Sequence, residues 1–483
     1  MTNEVFPPSK LISNRLDSPE SKSLPVAASS PPVLRGSQSP YHSLAYRLGI
    51  FRGRDGKGYS LLRFGGNCVA LPIGSKALNK HIREELHQAG ITLRKGEEAE
   101  INCALQAFAE ASVNCLPVWY RVAQLDDGIE IDLGDDQHTR VRITTGTLEI
   151  ITSGSETLFY RPSTSRPMAM PAEVGNLALL DKYLNLHPQS RMLLKAWLSY
   201  TLATPKVPTS NFVILVLGGT QGSGKSALSK IIIRMIDPSV IGVQMLPGSK
   251  QDFAIAAQNA HVLCFDNLRE FKHWMADLLC VASTGGSIST RQLYTNADQQ
   301  VLWLHVALVL NGIHSFIDQP DLAQRTLTLE MIPIFEALRK SEVEIAREFE
   351  ADLPAIQRGL FDLISKIMLY LPTAEVTNPE RMIDFVRWLA AYEKADGVPP
   401  GIYQACYSAA LCQGQRDSLL DNPLAAAILE FAEEYMGQSW SGTPTEFLTT
   451  LNSKRSISAQ RSREWPQGLK SKVVYDARRS ARG

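Results

Sequence analysis

Apolar residues follow two rhythms along the chain. Phe212 to Leu217 is an unbroken apolar run rich in β-branched residues, and it predicts a short strand buried on both faces. From Ala227 the residues Ala-Leu-Ser-Lys-Ile-Ile-Ile-Arg-Met-Ile fit a helix, which Asp237-Pro238 ends. His261 to Phe265, Val306 to Leu310 and Thr326 to Met331 are further strands, with helices at Ile255–Gln258 and Trp274–Ser283 between them. Such alternation predicts an α/β core over residues 211–335.

The flanks carry other patterns. Residues 41–165 read as a small α+β domain. Tyr59 to Leu71 suggests strand, turn and strand. Ser75 caps a helix that runs to about Gln88 and stops at Gly90, and Glu97–Ala111 is a second helix. Segments 118–124, 128–134, 140–144 and 147–152 alternate apolar with polar residues, as half-buried antiparallel strands do. Arg121, Arg140 and Arg142 there predict either a basic sheet face or a solvated one. Residues 166–210 form a Pro-rich linker and a helical pair, Leu177–Leu184 and Gln189–Leu202, the second turning Leu193, Leu194, Trp197 and Leu198 inward. Residues 336–421 read as a helical lid or bundle, with a helix-period stripe at 356, 360, 363, 364, 367 and 371. Residues 422–483 read as a small helical or winged-helix-like domain, in which Thr443-Pro-Thr-Glu446 supplies a capping box.

Composition adjusts this picture at the ends. Residues 1–40 hold nine Ser and seven Pro and too few large apolar residues to build a core, which predicts a disordered leader. Lys+Arg and Asp+Glu are both 49, so net charge points to no polyanionic partner. From Leu451 onward, however, nine Lys/Arg face two Asp/Glu, a tail that can bind phosphate backbones or simply be solvated. No apolar run approaches membrane-spanning length and no basic-then-apolar signal opens the chain, so the expectation is a cytoplasmic protein with no membrane partner. Seven cysteines without a C-x-x-C pair read as reduced structural thiols.

The candidate chemistry lies between the first core strand and its helix. Gly219-Thr220-Gln221-Gly222-Ser223-Gly224-Lys225-Ser226, followed by Ala227, fits G-x-x-x-x-G-K-[ST] at every fixed position. Glycines let successive backbone N–H groups point into one concavity, and the helix N-terminus behind them favours a polyanion. Lys225 can reach the outer phosphates of ATP, and Ser226 can ligate Mg²⁺. Asp266 ends a hydrophobic strand 41 residues after Lys225, the form of a Walker B motif, and would hold the same metal.

These motifs in combination resemble the AAA+ and superfamily-3-like ATPases of phages and integrated mobile elements, described as replicative helicases. The matching segments are GTQGSGKS (219–226), VLCFDNL (262–268), STGGSISTRQLYTN (283–296), LVLNGI (308–313) and DLAQRTL (321–327). The likeness spans about residues 45–450. It implies a P-loop NTPase fold, with Asn311 as sensor 1 orienting the attacking water and Arg325 as an arginine finger for the adjacent subunit of a hexameric ring. The plainer alternatives are a turn role for Asn311 and an ordinary ion pair for Arg325. The resemblance also implies a hairpin entering the ring pore, where Arg291, Tyr294 and His305 would contact DNA. One position departs from the family: Asn267 stands where an acidic residue beside the metal-binding Asp polarises water. An amide positions water but accepts no proton. Glu270 is a substitute that nothing in the sequence places at the site. Three readings follow: a DNA-acting motor of the 3′–5′ helicase kind, a slow-turnover nucleotide-switched initiator or loader, and a defence or signalling ATPase that does not act on DNA.

Overall fold

A mixed sheet, an antiparallel sheet, a parallel sheet and a helical flank follow one another along the chain in the computed structural model, which describes residues 40–454 apart from 95, 114, 269–272, 292–298, 313–316, 318, 336–338, 422 and 435–439. The leader to residue 39 and the basic tail from residue 455 lie outside the described residues. After α1 (Pro40–Arg47), the strands β1 (Ile50–Gly53), β2 (Gly58–Phe64) and β3 (Asn67–Pro72) form a meander. Helices α2 (Lys76–Gln88) and α3 (Glu97–Glu110) come next, and β4 (Cys115–Leu116) closes the sheet in the order β3-β2-β1-β4. Ser75 caps α2 by accepting from the Leu78 amide, as its position predicts. Leu78, Ile82 and Leu86 of α2 and Ile101 and Leu105 of α3 fill one apolar core beneath this sheet.

The second sheet is β5 (Val122–Gln124), β6 (Gly128–Asp132), β7 (Arg140–Thr144) and β8 (Thr147–Ile151), antiparallel in that order. Val122, Ile129, Ile131, Val141 and Ile143 point into the largest core of the molecule. The arginines correct the expectation of a basic or solvated face. Register places Glu130 opposite Arg142 and Asp132 opposite Arg140, so opposite charges meet directly across the strands. Arg140 is buried against Asp132, and Arg121 is buried against Asp237 at 3.0 Å. Arg142 pairs with Glu130 at 2.9 Å. Burial alone would raise the Asp132 pKa, yet the Arg161 hydrogen bond and the charges of Arg140, Arg161 and Arg121 bring it down to about 2.

Residues 177–183 wind as a 3-10 helix, not an α-helix, before α4 (Pro188–Ala203), which turns Leu193, Leu194, Trp197 and Leu198 inward. The parallel sheet follows. Its elements in chain order are β9 (Ile214–Gly218), α5 (Lys225–Ile236), β10 (Val243–Gln244), α6 (Lys250–Gln258), β11 (Val262–Leu268), α7 (His273–Thr284), β12 (Gly286–Arg291), β13 (Gln299–Leu304), β14 (Ala307–Gly312), α8 (Pro320–Ala323) and β15 (Thr326–Glu330). Strand order is β10-β11-β14-β9-β15, all parallel, while β12 and β13 pair as a separate antiparallel hairpin. Parallel strands end on a common edge. The chain leaves β9, next to the edge strand β15, and re-enters at the opposite edge with β10, so the loop after β9 stands at the carboxyl edge of the sheet, where such folds bind ligands.

The helical flank comprises α9 (Glu342–Tyr370), α10 (Ile383–Asp396), α11 (Ile402–Asp421), α12 (Pro423–Glu434) and α13 (Pro444–Lys454). A capping box of Ser341 and Glu344 starts α9, and Ile356, Leu360, Leu363, Ile364 and Ile367 bury the predicted stripe. That stripe shares its core with the second sheet and with one face of the parallel sheet. The Thr443–Glu446 box starts α13 as its sequence predicts. Among the described residues no helix is long and apolar enough to cross a membrane.

Candidate functional site

The glycine loop forms the turn between β9 and α5. Gly219, Gly222 and Gly224 take φ of +129°, +78° and +91°, conformations that side chains disfavour. A methyl group at Gly219 would lie 2.9 Å from the Met331 carbonyl oxygen, so the arch is closed tightly against the end of β15. Thr220 and Gln221 are exposed at its crest, Ser223 is buried beneath it, and Ala227 is half-buried in the first turn of α5. The Ser223 hydroxyl is buried without a hydrogen-bond partner among the described residues.

Lys225 opens α5, and its Nζ donates to the carbonyl oxygens of Gly219 at 2.6 Å and Thr220 at 2.8 Å. Desolvation lowers its pKa, against the opposing charges of Glu330 and Asp266. Ser226 Oγ donates to Asp266 Oδ2 at 2.9 Å, across from α5 to β11. Two hard oxygens thus converge beside an ammonium and a row of loop amides. This donor set fits a magnesium ion accompanied by a polyphosphate.

A bulge aims Asp266. Phe265 pairs with Leu310 and Leu268 with Gly312, so β11 spends one residue more than β14 over this step. Asn267 carries the extra residue with φ +64°, and its N–H donates to Asp266 Oδ1 at 2.6 Å. Asparagine is among the few residues that tolerate this left-handed conformation readily. Its side chain is exposed, and Glu270 lies outside the described residues.

The remaining predicted residues are placed differently. Asn311 sits on β14 next to β11, is buried, and donates from Nδ2 to Ser229 Oγ at 3.3 Å, one turn into α5 behind the loop. Arg325 precedes β15, whereas the glycine loop follows β9, and the two strands run parallel. The strand length between them, about 16 Å, puts Arg325 at the far edge of the sheet from its own chain's loop. There its Nε donates to Asp321 at 3.2 Å, and Arg381 holds the same carboxylate at 2.5 Å. Arg291 ends β12 opposite Gln299, and Tyr294 lies outside the described residues. His305 is turned inward at the hairpin base, its ring 5.0 Å from that of Phe212. Burial, with Lys206 and His261 nearby, pushes its pKa down to about 3.

Three residues near these features escaped the sequence reading. Trp303 on β13 is 58% exposed, opposite Ser287 and on the same face as Val301. Its signal is the alternation in Val301-Leu302-Trp303-Leu304, where Leu302 and Leu304 pack inward and the other two have no core to enter. Glu330 lies beside Gly218, and Arg339 lies over Gly222. Neither sits in an informative pattern.

Fold and site together define a mixed α/β protein with a glycine-rich loop at the carboxyl edge of a parallel sheet. Residues 178–417, just under half of the chain, match the family model of the actinomycete integrative conjugative element replication protein. Over that stretch the chain is similar to replication proteins of integrated mobile elements, the resemblance that its motifs carry. No curated protein matches the chain. Among solved structures, it is similar to the SCCmec type IV Cch active helicase, at 12% identity over 89% of this chain and 85% of that one, with a TM-score of 0.42. It is also similar to the C-terminal region of NrS-1 in two apo structures. One has 13% identity over 66% of this chain and 68% of that one, with a TM-score of 0.38. The other has 13% identity over 46% and 64%, with a TM-score of 0.31, so there the chain spans less than two thirds of its relative.

Proposed function

We propose that residues 211–335 form a P-loop ATPase core of the AAA+ and superfamily-3 kind, and that the protein is an ATP-driven motor acting on DNA during replication of a mobile element. The observation that carries this reading is the meeting of Ser226 Oγ and Asp266 Oδ2 at 2.9 Å beside Lys225. ATP lies with its phosphates along the amides of 219–227 and against Lys225. Ser226 and Asp266 would hold Mg²⁺, which would supply charge neutralisation to the phosphates. Residues 41–165 form an N-terminal domain, 336–421 a lid and 422–483 a small domain with a basic tail, in a cytoplasmic protein. DNA runs along the hairpin of β12 and β13, where Trp303 offers a stacking face and Arg291 a phosphate contact.

ATP hydrolysis rises when single-stranded DNA is added, and a forked duplex is unwound in the presence of ATP. Hydrolysis unaffected by DNA, with no strand displacement, would sink the motor reading. A slower, nucleotide-switched initiator is favoured by one observation: the exposed side chain of Asn267 accepts no proton. It predicts ATP-dependent assembly on DNA without unwinding.

Arg325 belongs to this reading as a finger for the neighbouring subunit in a hexameric ring, since its own loop is a strand length away. Arg325→Ala keeps ATP binding and lowers hydrolysis by about 10³-fold, the usual worth of such a group. Mixing it with Lys225→Ala subunits regenerates sites that pair an intact loop with an intact arginine. A mixture no more active than either variant alone removes the trans role.

A further inference from the structure

We propose that Arg339 is a second cationic clamp on the polyphosphate at the glycine loop, opposite Lys225. This rests on the nucleotide reading above and adds to it a residue outside every motif of the chain.

The guanidinium lies against the loop. A methyl group added at Gly222 would sit 3.2 Å from Arg339 Nη2, and Gly222 is exposed with φ +78°. Arg339 is itself exposed, and no hydrogen bond or ion pair engages it among the described residues. Its neighbours differ in this respect. Lys340 is taken up by Glu348 at 2.7 Å, Lys230 by Glu342 at 2.7 Å, and Arg234 by Glu350 at 2.6 Å. Four cations thus flank the junction of loop and helical flank. Three have carboxylates, and the fourth is parked on the phosphate cradle.

The backbone on both sides fixes this placement. On the strand side, the Met331 N–H donates to the Gly218 carbonyl at 3.0 Å and the Ile332 N–H to the Asn185 carbonyl at 3.0 Å. The Asn185 amide donates to Ser223 O at 3.3 Å and also to Ile332 O, which ties that segment to the loop itself. Ile334 Cδ1 lies 3.3 Å from where a Cβ on Gly224 would stand. On the helix side, Ser341 caps α9, and Glu342 holds Lys230 of α5. Arg339 therefore stands between two anchors on the same loop-and-helix unit. A guanidinium suits this position because its fork can span two phosphate oxygens, which an ammonium cannot do.

The test measures ATP–Mg²⁺ binding to the full chain by calorimetry, for the wild type, Arg339→Ala, Arg339→Gln, Lys340→Ala and Lys225→Ala. Loss of a charge-assisted contact predicts about 10- to 100-fold weaker binding for both Arg339 variants, with inorganic tripolyphosphate weakened by the same factor. Lys340→Ala binds as the wild type does, and the unliganded thermal midpoint of the Arg339 variants stays unchanged. Wild-type ATP affinity in both Arg339 variants, with Lys225→Ala unable to bind, overturns the clamp and leaves the loop reading intact. Wild-type affinity in Lys225→Ala overturns the loop reading itself. If the Arg339 variants lose affinity for single-stranded DNA but not for ATP, the arginine serves the DNA backbone and the clamp is rejected.

Discussion

Lys225→Ala is expected to abolish ATP hydrolysis and to weaken ATP binding by about 100-fold or more, the loss of two charge-assisted contacts to phosphate oxygens. The structure holds Nζ at the loop mouth, against the Gly219 and Thr220 carbonyls at 2.6 and 2.8 Å, where incoming phosphate oxygens would replace them. The substitution should not unfold the chain. Desolvation depresses the pKa of this lysine against the charges of Glu330 and Asp266, so the fold on balance disfavours its charged form, and no ion pair engages it among the described residues. Thermal melting with and without ATP–Mg²⁺ separates the two effects. Ligand that binds the native state raises the wild-type midpoint, by about 2.7 kcal/mol of stability at one hundred times Kd. The variant melts near the unliganded wild type and does not respond to ATP. A variant whose midpoint climbs with ATP as the wild type's does would place the nucleotide elsewhere.

How much of this was legible beforehand follows from what each signal encodes. The strands of the parallel sheet are buried on both faces, so they read as unbroken apolar runs, and the glycine loop between β9 and α5 is marked by residues that nothing else requires in that order. Ser75 and Thr443 announce their helices because capping is a local event. Side-chain direction at the ends of strands is not local. The sequence has the second strand of the site ending at Phe265. The structure carries it to Leu268 through a bulge at Asn267, a feature that depends on pairing with β14. His305 looks like a candidate for DNA from its place beside the hairpin. It turns inward, where Phe212 offers a ring to pack on. Arg140 and Arg142 look like a basic face until register supplies Asp132 and Glu130 across the strand. Those acids stand two residues apart on β6, as the arginines do on β7. Their matched spacing was visible, but the pairing of the strands was not.

The largest stability effect is expected at Asp237, where α5 ends. Its Oδ1 accepts from Tyr120 OH at 2.7 Å and from Arg121 Nε at 3.1 Å, and its Oδ2 accepts from the His261 N–H at 2.6 Å and the Val262 N–H at 3.3 Å. The Arg121 and Asp237 side chains are each 1% exposed. Asp237→Ala leaves a buried guanidinium without its counter-charge and strips partners from a phenol and two backbone amides. The cost is about 3–5 kcal/mol, a large part of the roughly 5–15 kcal/mol that holds a typical domain folded. Urea unfolding reads this as a lower midpoint at similar slope. Lys80→Ala, which breaks an ion pair with Glu84 whose side chains are 72% and 57% exposed, shifts the midpoint by less than about 1 kcal/mol. Arg121→Met combined with Asp237→Leu recovers the part of the loss due to the unbalanced charge, while Tyr120 OH and the two amides stay without their acceptor. The same carboxylate joins the end of the helix that begins with Lys225 and Ser226 to the start of the strand that carries Asp266. The alanine variant therefore also loses ATP affinity under conditions where it remains folded, while the double variant, which restores packing without those amide contacts, regains stability ahead of affinity. A midpoint for Asp237→Ala equal to that of the wild type would mean that this buried pair does not join the second sheet to α5 and β11.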